Sequence, residues 1–326
     1  MKPSVTEQDL ALTPSPALPS GHAGTFQDDG AQPAVPAAGP RSGAPSRRRP
    51  RREHLVSAIR RLRPALRQPG LVLSVAWIIA LVLAIVLPDV VSPSEPTRAT
   101  ARRRLAPPGP DHLFGTDQLG RDLFSRMVHG ASLSLRTAVL SVLVGLVIGA
   151  FLGLLAGFLQ GWVDVVIMRV MDVLLAVPSL LLALTLIAVL GGGSINIAVA
   201  VGVSGIAVCA RTMRAEVIHV RQSVFIEASF VCGARRSAVL RRHVLPNSAG
   251  PVVVLAALQF GPAILAVSAL SFLGFGARPP TPEWGSMVAG GRDFLATAWW
   301  LSTMPGLTIL LTVLAGNRVA RALNGR

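Results

Sequence analysis

An all-α polytopic membrane protein with six transmembrane helices is the architecture that this sequence predicts, on three observations. Of its 326 residues, 51% are hydrophobic and only 14% charged, with mean hydropathy +0.56. A soluble domain carries about a quarter charged residues. Several apolar runs approach or exceed the roughly 20 residues needed to cross a bilayer as helix. The net charge of +15 is gathered as Arg in segments beside and between those runs, and such segments stay on the cytosolic side. Both termini are therefore expected in the cytoplasm.

Residues 1–67 read as a tail in two halves. Up to Pro40 it is rich in Pro, Ala and Gly with little to bury, which predicts disorder. From Arg41 to Arg67 there are ten Arg against one Glu. The run Arg47-Arg48-Arg49-Pro50-Arg51-Arg52 resembles a nucleic-acid patch, but beside a membrane span it reads as a topology anchor that contacts anionic headgroups. The first apolar run begins near Leu71, too far from Met1 for a cleavable signal peptide.

The first transmembrane helix falls within 68–91, with Leu71–Leu87 as its uncharged stretch. Residues 92–130 then form an external loop and an elbow helix. Six Arg in that loop run against the positive-inside rule. It contains His112-Leu-Phe-Gly115-Thr116-Asp117-Gln-Leu-Gly120-Arg121-Asp122. Here the spacing predicts a helix start with ion pairs Asp117–Arg121 and Asp122–Arg126. His112, Asp117 and Asp122 could instead hold a metal. One His with two spaced acids that already have Arg partners is a poor ligand set, so a structural elbow is preferred.

Residues 131–322 form the core. Thr137–Leu159 is the second span, with Gly145, Gly149, Gly153 and Gly157 giving one face that another helix can approach closely. A turn at Gln160-Gly161-Trp162 leads to the third span, where Arg169 and Asp172 are spaced to pair beside Asp164. Pro178 is expected to kink that span. Ile195–Ala210 is the fourth, and a fifth runs from Pro246 to about Phe272, bent at Pro251 and Pro262. A Pro-rich external loop, Leu273–Glu283, is closed by Trp284, and Trp299 and Trp300 open the last span as an interfacial belt. The two cysteines, Cys209 and Cys232, form no disulfide framework and read as small buried residues.

Between the fourth and fifth spans lies a cytosolic loop, 211–246, with seven Arg against two Glu. Phe225, Ala228 and Cys232 share one helical face. Ser223 can cap that helix and Gly233 can end it in a left-handed conformation. A second short helix is expected from about Arg235 to His243, with Pro246 restarting the chain. A helix–Gly–helix of this kind can serve as a docking knob.

Glu227-Ala228-Ser229, Gly233 and Leu245-Pro246 resemble the Glu-Ala-Ala loop of binding-protein-dependent ABC importer permeases. Ser229 replaces the second Ala, and His243 stands where the family has an apolar residue. Gly115-Thr116-Asp117 with Gly120-Arg121-Asp122 resembles the segment before the core in dipeptide, oligopeptide and nickel importers, as does the Pro279–Trp284 run. The resemblance spans roughly residues 71–322. It implies a type I ABC importer permease fold in the inner membrane, and a 211–246 coupling loop that docks on an ATPase through Glu227, Ala228, Ser229, Gly233, Leu245 and Pro246. It also implies a second permease subunit, two ABC ATPase subunits and an extracytoplasmic substrate-binding protein.

No Walker-type phosphate loop occurs in the sequence, so the chain is read as a passive, non-enzymatic subunit without cofactor. A self-contained secondary transporter is the rival class. Such proteins place acids, His or broken helices at mid-membrane, whereas spans four to six carry no ionisable residue there. Peptide is the expected substrate and nickel or a metal chelate the alternative.

Overall fold

In the computed structural model, residues 69–323 are described. The Arg-rich tail over 1–67 and Arg326 lie outside the described residues. Helix α1 is Pro69–Val86, and after a single turn at Pro88–Val91 the chain runs irregularly to α2, Leu123–Leu159. The broken third span is α3, Gly161–Ala176, with α4, Ser179–Leu190. Helix α5 is Ser194–Arg221, and α6 and α7 are the short Val224–Val231 and Arg236–Val239. Helix α8 is Leu245–Phe272, α9 is Trp284–Gly291 and α10 is Trp300–Leu323. Among the described residues, five runs are long and apolar enough to cross a membrane, and the bent α3–α4 pair, taken as one broken span, brings the number to six.

The long α2 organises the bundle. Its 37 residues extend about 55 Å, well beyond a hydrocarbon core of about 30 Å, so part of it must stand clear of a bilayer core. The glycine stripe does face another helix of the same chain, α5. A Cβ on Gly149 would lie 2.6 Å from both Cys209 Cβ and the Ile206 carbonyl oxygen, and one on Gly157 would lie 2.9 Å from Val217 Cβ. Backbones this close are how membrane helices gain dispersion contact without a hydrophobic drive. Helix α1 lies against α10, where the Trp77 Nε1–H donates to Thr312 Oγ1 at 3.1 Å.

Several expected details differ. Pro178 does not merely kink the third span: α3 and α4 meet at 95°. Proline lacks an amide and holds Val177 extended (φ −93°, ψ 130°). The Arg169–Asp172 pair does not form, because Asp172 bonds Arg211 of α5 at 2.5 Å. Pro246 does not restart the chain. A π turn at Leu240–Val244 carries α7 into α8, with the Leu245 amide bonded to the Leu240 carbonyl, so 236–272 is one helical run that passes through Pro246.

Of the two tryptophans expected at the interface, only Trp299 faces outward. Trp300 is buried, its indole N–H aimed at the Thr116 carbonyl (3.3 Å). Cys209 is buried as expected, but Cys232 is exposed.

Candidate functional site

The first part of the 211–246 segment is helix rather than loop: α5 runs on to Arg221, so the chain turns later than the sequence reading placed it. Arg221 closes this end by donating to the Phe158 carbonyl at 2.9 Å while lying over the Phe158 ring. Helix α6 then turns back. Gly233 ends it at φ +80°, its N–H donating to Phe230 O (2.9 Å) and that of Ala234 to Ser229 O (3.1 Å). This pair of bonds is the Schellman stop, which needs a left-handed residue at Gly233. Ser223 stands at the N-cap position but does not cap. Its hydroxyl donates back to the Val220 carbonyl.

The buried face of α6 is also not the expected one. Ile226 is fully enclosed, with Phe230 beside it, whereas Phe225, Ala228 and Cys232 face outward. Ile226, Val239 and Val244 pack with Val217, Val220 and Val252, seating the knob on the ends of α5 and α8. Outward-facing are Glu227, Ala228, Gly233, Leu245 and Pro246, with Ser229 half-buried. Val224 is 80% and Val231 84% exposed.

The C-terminal extension of α5 is also tied to the broken span. Arg214 grips Asp164 of α3 through Nε (2.5 Å) and Nη2 (2.6 Å), a bidentate fork, and Arg211 holds Asp172. At the far end of α3, the bend at Val177-Pro178 borders a cavity of about 390 Å³. Ser141, Ser179, Ser204 and Gln259 give its wall hydroxyls and an amide, and no ionisable residue other than the Cys209 thiol lines it. Neither the cavity nor the α3–α5 pairs was visible in the sequence, because the paired residues lie 39 and 50 positions apart.

Residues 149–326 match the family of binding-protein-dependent transport system inner membrane components. A dipeptide transport system permease protein of Alkalihalophilus pseudofirmus is 37% identical over 254 residues, 78% of this chain and 82% of that one. A di/tripeptide transport system permease protein of Pseudomonas aeruginosa is 42% identical over 239 residues, 72% and 79% of the two chains. The chain belongs to this transport family. A glutathione transport system permease protein of Shigella flexneri is likewise similar, 46% identical over 216 residues, covering 66% of this chain and 71% of that one.

In this inner-membrane component, the Gly115–Asp122 segment is a compact turn rather than the first turn of a helix. Gly115 and Gly120 both have positive φ, and the Gly120 amide bonds the Asp117 carbonyl. Asp117 and Arg121 pair at 2.6 Å as expected. Asp122 does not pair with Arg126. It caps α2 by accepting from the Ser125 amide (2.7 Å) and binds His112 Nδ1 at 2.9 Å. Arg126 turns instead to Asp117, its Nε 3.6 Å from Oδ2. Burial first, and the neighbouring Arg121 charge second, push the Arg126 pKa down to about 10 against the pull of Asp117. His112 and Asp122 thus pair with each other, while Asp117 is taken up by Arg121 and Arg126.

One buried carboxylate was missed. Glu283 is 1% exposed and accepts from Ser271 Oγ and the Ala277 amide, both at 2.7 Å, which pins the Pro-rich loop to the end of α8. Beside it Trp284, read from sequence as a loop closure, starts α9 and donates from Nε1 to Met127 O at 2.9 Å.

Proposed function

We propose that this permease is the transmembrane subunit of an ATP-driven importer that carries peptides across the inner membrane. The exposed knob carries the reading: a rigid Gly233-stopped helix, seated on two membrane spans, presents Glu227, Val224 and Val231 outward. Its partners are a second permease subunit, two ABC ATPase subunits and an extracytoplasmic binding protein. Hydrolysis belongs to the ATPases, and the chain itself is not an enzyme. Peptide is favoured as cargo because the similar proteins of A. pseudofirmus and P. aeruginosa are named for dipeptide and di/tripeptide transport.

The same reading places the 1–67 tail and the 211–246 loop in the cytosol, the first span at 68–91, residues 92–130 outside and the core at 131–322. Closure of the ATPases pushes α6. Ile226 and Val244 pass the load to α5 and α8, and the Asp164–Arg214 fork passes it to α3 and the Pro178 bend beside the cavity. The lining is uncharged and mainly apolar, so it makes no charge-based choice among peptide side chains.

Purified alone, the chain should hydrolyse no ATP. Hydrolysis that persists in demonstrably pure protein would defeat the passive-subunit reading.

A further inference from the structure

At the end of α2 opposite the knob, two arginines share a single carboxylate. Asp117 is 4% and Arg126 7% exposed, with Arg121 buried beside them. Arg121 reaches Asp117 through Nε, and Arg126 is held loosely, by the 3.6 Å approach to Asp117 and a 3.4 Å bond to Pro96 O. The outer nitrogens of Arg121, and Nη2 of Arg126, have no hydrogen-bond partner among the described residues. One positive charge is thus in excess, on nitrogens that keep some access to solvent, since Ser248 Oγ is the one fully enclosed side-chain polar atom without a partner among the described residues. Two guanidinium groups that share one carboxylate have donors free for a second, and such charge-assisted bonds are strong ones.

Asp117 and both arginines line a pocket of about 150 Å³ whose other walls include Gln118, Thr281 and, from α9, Ser286 to Gly291. Asp117 is the one carboxylate in that lining, against the two arginines. The pocket opens beside the exposed Pro279–Thr281 segment. It shares no residue with the cavity at Pro178, so it stands off the route assigned to cargo. About 50 Å of α2 separates it from the Phe158–Arg221 contact under the knob.

We propose that this pocket is the receptor for a carboxylate of the external binding protein, an Asp or Glu side chain that enters between Arg121 and Arg126 when that protein docks. The inference rests on the importer reading above. The volume accepts a carboxylate with one or two methylenes, and two guanidinium groups give it fork geometry. The charge excess makes docking electrostatically steered and salt-sensitive.

The test uses the assembled transporter in nanodiscs, titrated with its binding protein while ATP hydrolysis is followed. With Arg126→Gln, the half-saturating concentration should rise about tenfold or more, its dependence on salt should flatten, and excess binding protein should restore the parental rate. Gln118→Glu keeps both arginines and offers them a competing carboxylate from the pocket wall. It should raise half-saturation in the same direction, which keeps the test open should Arg126→Gln fail to assemble. Unchanged half-saturation in a well-assembled Gln118→Glu complex would overturn the proposal. So would a second pattern: unaltered docking, with Arg126→Gln abolishing only a preference for peptides with a free over an amidated C-terminus. That would assign the carboxylate to cargo. A parental complex that its binding protein does not stimulate would instead strike the importer reading, and this assignment with it.

Discussion

Gly233 offers a graded perturbation whose cost follows from one angle. Its φ is +80°, and a Cβ placed there would meet nothing within 4 Å. Any penalty for Gly233→Ala therefore comes from backbone strain rather than collision, about 1–2 kcal/mol for an L-residue in the left-handed region. At 1.4 kcal/mol per tenfold, the correctly stopped α6 falls roughly 5–30-fold relative to alternatives. Gly233→Val adds a β-branch and should cost more. Gly233→Asn should cost least, since Asn visits this region readily.

The two Schellman bonds, at 2.9 and 3.1 Å, depend on the same angle, whereas α2, α5 and α8 pack without it. Uptake, and retention of ATPase subunits on affinity-purified permease, should both follow the order Gly, Asn, Ala, Val, with insertion levels near normal throughout. Equal behaviour of Gly233→Val and the parent would refute the reasoning. An Asn variant as defective as Val would do so too.

Two further outcomes follow from packing and topology. Gly149→Ala should lower the melting temperature in detergent, because its Cβ would sit 2.6 Å from the Ile206 carbonyl and force α2 and α5 apart, an overpacking cost of about 1–3 kcal/mol. Gly306→Ala, with nothing within 4 Å of the new Cβ, should be neutral or slightly stabilising, and a reversal of that order would undo the close-approach argument. In a Cys232→Ala background, an impermeant thiol reagent applied to intact cells should label Ser94→Cys and Pro280→Cys but not Ser237→Cys. Labelling at Ser237→Cys from outside would contradict both the orientation and the docking loop.

Much of the architecture was legible because it repeats or is local. Glycines four residues apart on α2 announce a bare helical face whatever their partner, and Gly233 announces a left-handed stop. A helix start near Asp122 was legible from the acid–Arg spacing, although Asp122 was read as a partner of Arg126 and not as the cap it is. What escaped was set by packing between distant segments. Asp172 has a tempting neighbour in Arg169 three residues away, yet the bundle brings Arg211 closer. Asp122 similarly turns to His112, and Arg126 to Asp117.

The buried face of α6 could not be chosen from periodicity over eight residues. Ile226 and Phe225 are both apolar, and only the position of the α5 and α8 ends decides between them. Glu283 gave no signal at all, since its partners are a Ser hydroxyl and a backbone amide. Nor did the cavity, which exists because Pro178 turns the chain by 95° rather than a modest kink.

The central claim is that the knob docks on a separate ATPase, and Glu227→Lys tests it most directly. Glu227 is exposed on α6 and pairs with no cation among the described residues, so the reversal changes the proposed contact and little else. The account predicts that parental permease purified from membranes carries ATPase subunits and supports uptake, and that the variant inserts normally but loses both. Uptake that survives Glu227→Lys, with no ATPase co-purifying with the parent, would contradict it and point to a self-contained transporter.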